Sequence, residues 1–175
     1  MIEIIEFSQN YLKSVAGLYD RVFTGSPWFD PPLGEKKAMK YISMELSKKI
    51  AVAYLAISEN IPIGFGWGYQ LDWEKFVETK YDTKEGKILL RNFRQDETLS
   101  FYISEVGVDP DFQNNRIGSR LTNKLASTDK PLLMRTLKTS PMLSIALKQL
   151  LMQPIISPDL DFKDPENPNR VILIK

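Results

Sequence analysis

The chain has 175 residues, 43% hydrophobic and 26% charged, with a net charge of +1. That make-up fits one self-sufficient domain and excludes both long disorder and a basic field for gathering nucleic acid. There is no cysteine and no histidine, which rules out disulfides, thiolate nucleophiles, a Ser-His-Asp triad and zinc sites built on thiolate or imidazole. A general base must then be a carboxylate, a lysine, a tyrosine, a terminus or a positioned water.

In chain order, Ile2 to Phe7 alternates as a first strand, and Ser8 is placed to cap the helix that follows. Leu12, Val15, Ala16, Tyr19, Val22 and Phe23 recur at helical spacing. "TGSPWFDPPLG" ends that helix, since glycine and three prolines forbid its continuation. A second helix is expected over Glu35–Lys48, with Ala38, Met39, Ile42 and Leu46 on one side. "IAVAYLAIS" and "IGFGWGYQL", joined by the turn "ENIP", read as a hairpin. From Asp72 to Thr98 the texture changes to mixed charges with scattered aromatics, read as a partly helical excursion and not a separate domain.

The strand "LSFYISEVGV" leads into a polar loop and a helix to about Ser127. "PLLMRTL" is another strand. Ser140 and Pro141 start a helix, as cap and first position, through "MLSIALKQLLM". "VILI" is the last strand. The order β-α-α-β-β-excursion-β-α-β-α-β predicts a mixed sheet flanked by helices in a single domain, 1–175. No apolar run is long enough to span a bilayer, and "MIEIIEFSQN" lacks the basic start and apolar centre of a signal peptide, so a cytoplasmic protein without membrane or nucleic-acid partners is expected.

The loop "VDPDFQNNRIGSRL" carries the chemistry. A helix N-terminus offers unpaired amides and a partial positive charge to phosphate, and Gly118 and Ser119 let oxygens approach the backbone. Arg116, Arg120 and Lys124 follow at i, i+4 and i+8, beside the apolar stripe of Ile117, Leu121 and Leu125. A solvated basic face accounts for that stripe as well as an anion site does. "GFGWG" lies in a strand, so it is no phosphate loop.

"VGVDPDFQNNRIGSRL" resembles the acetyl-CoA-binding motif of the GNAT superfamily of N-acetyltransferases, in which Gln/Arg-x-x-Gly-x-Gly/Ala opens a helix after a strand. Gln113, Asn114, Asn115, Ile117 and Gly118 fit, while Arg116 stands where the first glycine is usual. The element order fits that fold over nearly the whole chain. The resemblance implies an α/β (α+β) fold with a centrally splayed mixed sheet. It implies acetyl-CoA as cosubstrate, no metal, and acetyl transfer to a primary amine of a small molecule or peptide; a homodimer stays open. Backbone groups of Val106 and Val108 would pair with the pantetheine arm, and Gly107 would mark a bulge. Amides from Asn114 to Ser119 would hold the pyrophosphate, and Arg120 or Lys124 the adenosine phosphate.

Acetyl transfer needs a neutral amine and a donor for the oxyanion. Glu105 follows Phe101 and Ile103 at strand spacing and is the candidate base, level with a structural glutamate. The Val108 amide would serve as oxyanion donor, by resemblance. Aligning on Ala146 puts Leu150 where many of these enzymes carry an acidic tyrosine, and Pro154-Ile155 where Gly-Phe is usual. Tyr102, Tyr69, Ser144 or water are the substitutes. Trp28, Phe29 and Trp73, with Asp30, Asp72 or Glu74, are candidates for the acceptor side. The alternative to an enzyme is a GNAT-fold module that binds acyl-CoA without turnover.

Overall fold

The computed structural model describes residues 1–81, 84, 99–155, 164 and 167–175. Among them, seven strands are hydrogen-bonded in the order β1-β2-β3-β4-β5-β7-β6, in a mixed α+β architecture with flanking helices. The chain divides into two compact units, Met1–Tyr69 with Ile103–Ser127, and Gln70–Tyr102 with Thr128–Lys175.

In the first unit, β1 (Ile2–Glu6), β2 (Val52–Ser58) and β3 (Ile61–Asp72) pair antiparallel. The β2–β3 turn is Glu59-Asn60, both left-handed, as a two-residue hairpin of right-handed twist requires. The strand therefore starts at Ile61, two residues ahead of the expected Ile63. Pro62 is accommodated because the register shifts between Ala56 and Ile57. Helices α1 (Leu12–Phe23) and α2 (Glu35–Leu46) bury Val15, Ala16, Leu18, Val22, Phe23, Ala38 and Ile42 against Leu55, Ile57, Phe65 and Trp67. Ser8 makes no side-chain cap; a 3-10 turn over Gln9–Tyr11 stands between it and α1.

On a second cluster, α4 (Ile117–Leu125) buries Ile117 and Leu121 against Ala56 and Ile63. The glycines of "GFGWG" find their reason here. A Cβ on Gly64 would lie 3.0 Å from Ile117 Cγ2, and one on Gly66 3.1 Å from Leu125 Cδ1. Their absence lets α4 sit close on the strand, which fixes where its N-terminus falls.

In the second unit, β5 (Leu132–Leu137) pairs antiparallel with β7 (Arg170–Ile174), and β7 with the two-residue β6 (Gln153–Pro154). Helix α3 (Trp73–Lys80) opens the expected excursion, with Asp72 accepting from Lys75 N at its start; residues 82–83 and 85–98 of that excursion lie outside the described residues. Helix α5 (Pro141–Lys148) starts as expected, Ser140 accepting from Met142 N. It ends earlier than "MLSIALKQLLM" implies. Leu150 N donates to Ile145 O, Met152 N to Ala146 O, and Leu151 is left-handed. No glycine marks that ending, so the sequence gives no stop signal.

Candidate active site

Strand β4 (Leu99–Val108) delivers the chain into the quoted loop. Asp109, 4% exposed, turns it: the backbone N–H donates to Ile63 O, the carboxylate accepts from Asp111 N, and Arg21 of α1 pairs with it at 2.6 Å. Asn115 then fastens the loop to itself by donating to Phe112 O and Gln113 O. Asn114 and Arg116 are both left-handed, with φ of 65° and 58°. Left-handed residues alternating in a tight loop turn successive amides toward one concave side. Arg116 is the N-cap of α4 and has no side-chain cap bond. Its backbone conformation is one that glycine adopts without cost, whereas arginine pays about 1–2 kcal/mol. The glycine of the pattern is absent, but the geometry that calls for it is present.

The other loop residues divide by surroundings. Val106 and Val108 pack beside Ile117 and Leu121. Ile117 itself is core, so only its backbone is available to a ligand. Gly118 is half-buried, its carbonyl accepting from Thr122 Oγ1 at 2.7 Å, and Ser119 is half-buried beside it. Gln113 is exposed, and its Nε2 donates to Val108 O at 3.4 Å. Arg120 reaches Ile2 O at 3.2 Å, and the Lys124 ammonium lies 5.6 Å from the Tyr54 ring centroid. Both side chains of the basic stripe thus lean toward β1 and β2. Gly107 has a packing reason: a Cβ there would stand 2.4 Å from Phe65 Cζ.

Glu105 faces α2. Tyr41 Oη donates to Glu105 Oε1 at 2.9 Å, and the Tyr19 hydroxyl of α1 is hydrogen-bonded to Tyr41. Burial first, then the Glu105 charge, push both phenols well above the usual tyrosine range, so they stay protonated and donate. One helical turn on, Glu45, 4% exposed, accepts from Ser104 Oγ at 2.8 Å and from Lys48 Nζ, which also donates to Tyr69 Oη at 2.8 Å. Burial works to lower Lys48, but its bonds to Glu45 and Tyr69 outweigh that and hold it above its ordinary value. Ser104 and Glu105 are neighbours, yet both meet α2. A regular strand sends neighbouring side chains to opposite faces, so β4 departs from strict alternation at this point, ahead of Gly107.

The sequence reading passed over these helix residues. Tyr41, Glu45 and Lys48 stand at i, i+4 and i+7, a polar stripe beside the apolar one. On the segment expected to line the acceptor side, Asp20 accepts from the amides of Leu33 and Gly34 and so closes the loop between α1 and α2. Trp28 packs edge-on to Phe23, while Phe29 is left-handed and 72% exposed. Trp73 is buried and stacked on Phe76, which removes it from the exposed aromatics.

Neither the protein-family models nor the curated protein sequences give a match to this chain. Solved structures do. The Drosophila melanogaster polyamine N-acetyltransferase, which forms N-acetylagmatine, aligns with a TM-score of 0.65 at 14% identity, over 100% of this chain and 99% of that one. Arabidopsis thaliana NAA60, solved with a bisubstrate analogue, aligns at 0.68 and 11% identity, over 100% and 97%. The PaiA N-acetyltransferase of Thermoplasma acidophilum, solved with coenzyme A, aligns at 0.61 and 10% identity, over 100% and 98%. The chain has the GNAT N-acetyltransferase fold.

Within this GNAT fold two substitutes for the missing tyrosine lose their appeal. Leu150 is buried. Tyr102 accepts from Arg135 Nε at 3.3 Å, and Arg135 also pairs with the buried Asp164 at 3.1 Å, so that phenol belongs to a closed structural network. Tyr69 is held by Lys48. Among the described residues no group of three or more acidic side chains could hold a metal ion, and no helix is long and apolar enough to cross a membrane.

Proposed function

We propose that the protein is an acetyl-CoA-dependent N-acetyltransferase acting on a primary amine of a small molecule or peptide. One observation carries this reading: a loop curled by left-handed Asn114 and Arg116 opens α4 directly after the strand that bears Glu105. That donor set fits the coenzyme. The backbone amides of Asn114–Ser119 suit a pyrophosphate, which a helix N-terminus favours by about 0.3–1 kcal/mol at an exposed site. Backbone groups of Val106 and Val108 suit a pantetheine arm, and the Val108 amide is the donor for the oxyanion.

When bound, acetyl-CoA supplies an activated acyl group and a leaving thiolate. The chain's part is to deliver a neutral amine. Glu105, kept as an acceptor by Tyr41, takes the proton that the amine nitrogen sheds as its bond to the acetyl carbon forms and the carbon–sulfur bond breaks. Tyr41 and Tyr19 hold their protons firmly, and Leu150 offers none, so the thiolate leaves with a proton from water or as the anion. Arg120 and Lys124 remain the cations nearest in sequence for the adenosine phosphate, though each would have to leave its β1 or β2 contact.

Thiol release from acetyl-CoA across a panel of polyamines, arylalkylamines and peptide N-termini tests the reading. Binding measured by calorimetry should be lost in Gly118→Asp, whose carboxylate would stand among the phosphate amides. Binding without thiol release from any amine would favour a non-catalytic acyl-CoA module, a reading to which buried Leu150 gives weight. Absence of binding at millimolar acetyl-CoA would sink both.

A further inference from the structure

We propose that Tyr41 is a positioning residue: it holds the Glu105 carboxylate in the orientation from which it accepts the amine proton, and Tyr19 fixes Tyr41. The inference rests on the acetyltransferase reading but concerns residues of α1 and α2 that the binding motif does not contain. A carboxylate at the end of a strand has freedom about three side-chain bonds. Here one oxygen is fixed by a phenol at 2.9 Å from a residue 64 positions away in sequence.

The phenol is itself fixed. Its ring lies 5.5 Å from that of Tyr19, which stacks on Phe65 at 5.8 Å and on Trp67 at 6.2 Å. Tyr41 has one hydroxyl hydrogen and gives it to Glu105. The Tyr19 hydroxyl is in turn bonded to Tyr41, so Tyr19, Tyr41 and the carboxylate form one chain. One turn along α2, Glu45 grips Ser104. The helix thus holds two successive β4 residues and keeps the strand in its irregular course beneath them. Phenylalanine at both positions would fill the same aromatic core without burying two hydroxyls, which packing alone does not require.

Among the described residues, Tyr41 and Glu45 of α2 and Tyr19 of α1 act on or are acted on by Glu105 or its phenol partner. Asp30 acts on Tyr19 from the loop, and Lys48 and Tyr69 are joined through Glu45.

The test uses Tyr41→Phe and Tyr19→Phe in the full chain. In Tyr41→Phe, kcat should fall about 10- to 100-fold, the range a small misplacement of a reacting group produces. The KM for acetyl-CoA should stay unchanged, and the ascending limb of the pH profile should move to higher pH, because the carboxylate has lost a donor. Tyr19→Phe should do the same to a smaller degree. Unchanged kcat and pH profile in both variants, with Glu105→Gln inactive, would overturn the proposal. A second readout needs no turnover. The Glu105 carboxyl, followed by 13C NMR with glutamate labelled and assigned by its loss in Glu105→Gln, should titrate at higher pH in Tyr41→Phe. An unmoved midpoint overturns the positioning role even if no amine is ever acetylated, and a moved midpoint supports it whatever becomes of the enzymatic reading. Should Tyr41→Phe fold poorly, Tyr19→Phe carries the same measurement.

Discussion

Two buried polar clusters in this protein are built on opposite plans. In the second compact unit, Arg135 meets Asp164, Tyr81 Oη donates to Asp164 at 3.2 Å, Tyr102 accepts from Arg135, and the Phe76 ring lies 5.4 Å from the guanidinium. Among the described residues of this cluster, one cation meets one anion. In the first unit, Lys48 pairs with Glu45, and the hydroxyls of Ser104 and Tyr41 donate to Glu45 and Glu105. An ion pair that balances itself has nothing left to give a ligand. A carboxylate that a neutral phenol holds at one oxygen has a donor there that brings no compensating charge. The difference separates a cluster that holds a fold from one suited to chemistry.

The strongest way to break this comparison is Glu105→Gln. It should preserve folding and acetyl-CoA affinity and lower kcat by about 10²- to 10⁴-fold, with the deficit shrinking as pH rises and more of the amine is neutral. Steady-state kinetics beside a melting curve decides it, and lost stability with normal activity per folded molecule would make Glu105 a structural carboxylate. The mirror experiment is Asp164→Ala. Stranding the buried guanidinium should cost about 3–5 kcal/mol in chemical denaturation while leaving activity per folded molecule intact.

Gly107→Ala probes the packing that surrounds the first cluster. Forcing a methyl against the Phe65 ring should cost about 1–3 kcal/mol by the same denaturation assay; a neutral result would free Gly107 from its packing role and restore the bulge as its explanation.

Both clusters contain phenols raised above the usual range: Tyr41 and Tyr19 by burial and then Glu105, Tyr81 by burial and then Asp164. A folded-state value above the unfolded one means that stability is complete below the unfolded value, near 10, and is lost as pH rises past it. Melting temperature should therefore fall between about pH 9.5 and 11.5, and both Tyr41→Phe and Tyr81→Phe should flatten that fall. The smallest effect is expected at the loop. Arg116→Gly removes the left-handed penalty, up to about 1–2 kcal/mol, offset in part by the added freedom of the unfolded chain. The melting temperature should hold or rise slightly, and a clear drop would show that the Arg116 side chain makes a contact worth more than the strain.

The sequence by itself determined the element order and the placement of the loop. Apolar periodicity is a local signal, and it marked α1, α2 and every strand but the two-residue β6 to within a few residues. Asp109-Pro110 and Ser140-Pro141 are local turn and cap chemistry, legible for the same reason. Where local signals were absent, the reading slipped. Ser8 looks like a cap but faces a 3-10 turn, and α5 stops without a glycine. Tertiary structure alone decided which polar groups meet. Tyr41 and Glu105 are far apart in sequence, and nothing in either stretch announces the other. Gly64 and Gly66 of β3 prove to be room for α4, which no local signal announces. Arg116 gives no hint of its conformation in sequence, and only its backbone dihedral shows the left-handed turn that glycine adopts freely. Pairing across long sequence separations is set by how helices pack on the sheet, and that packing depends on all the side chains in the interface at once.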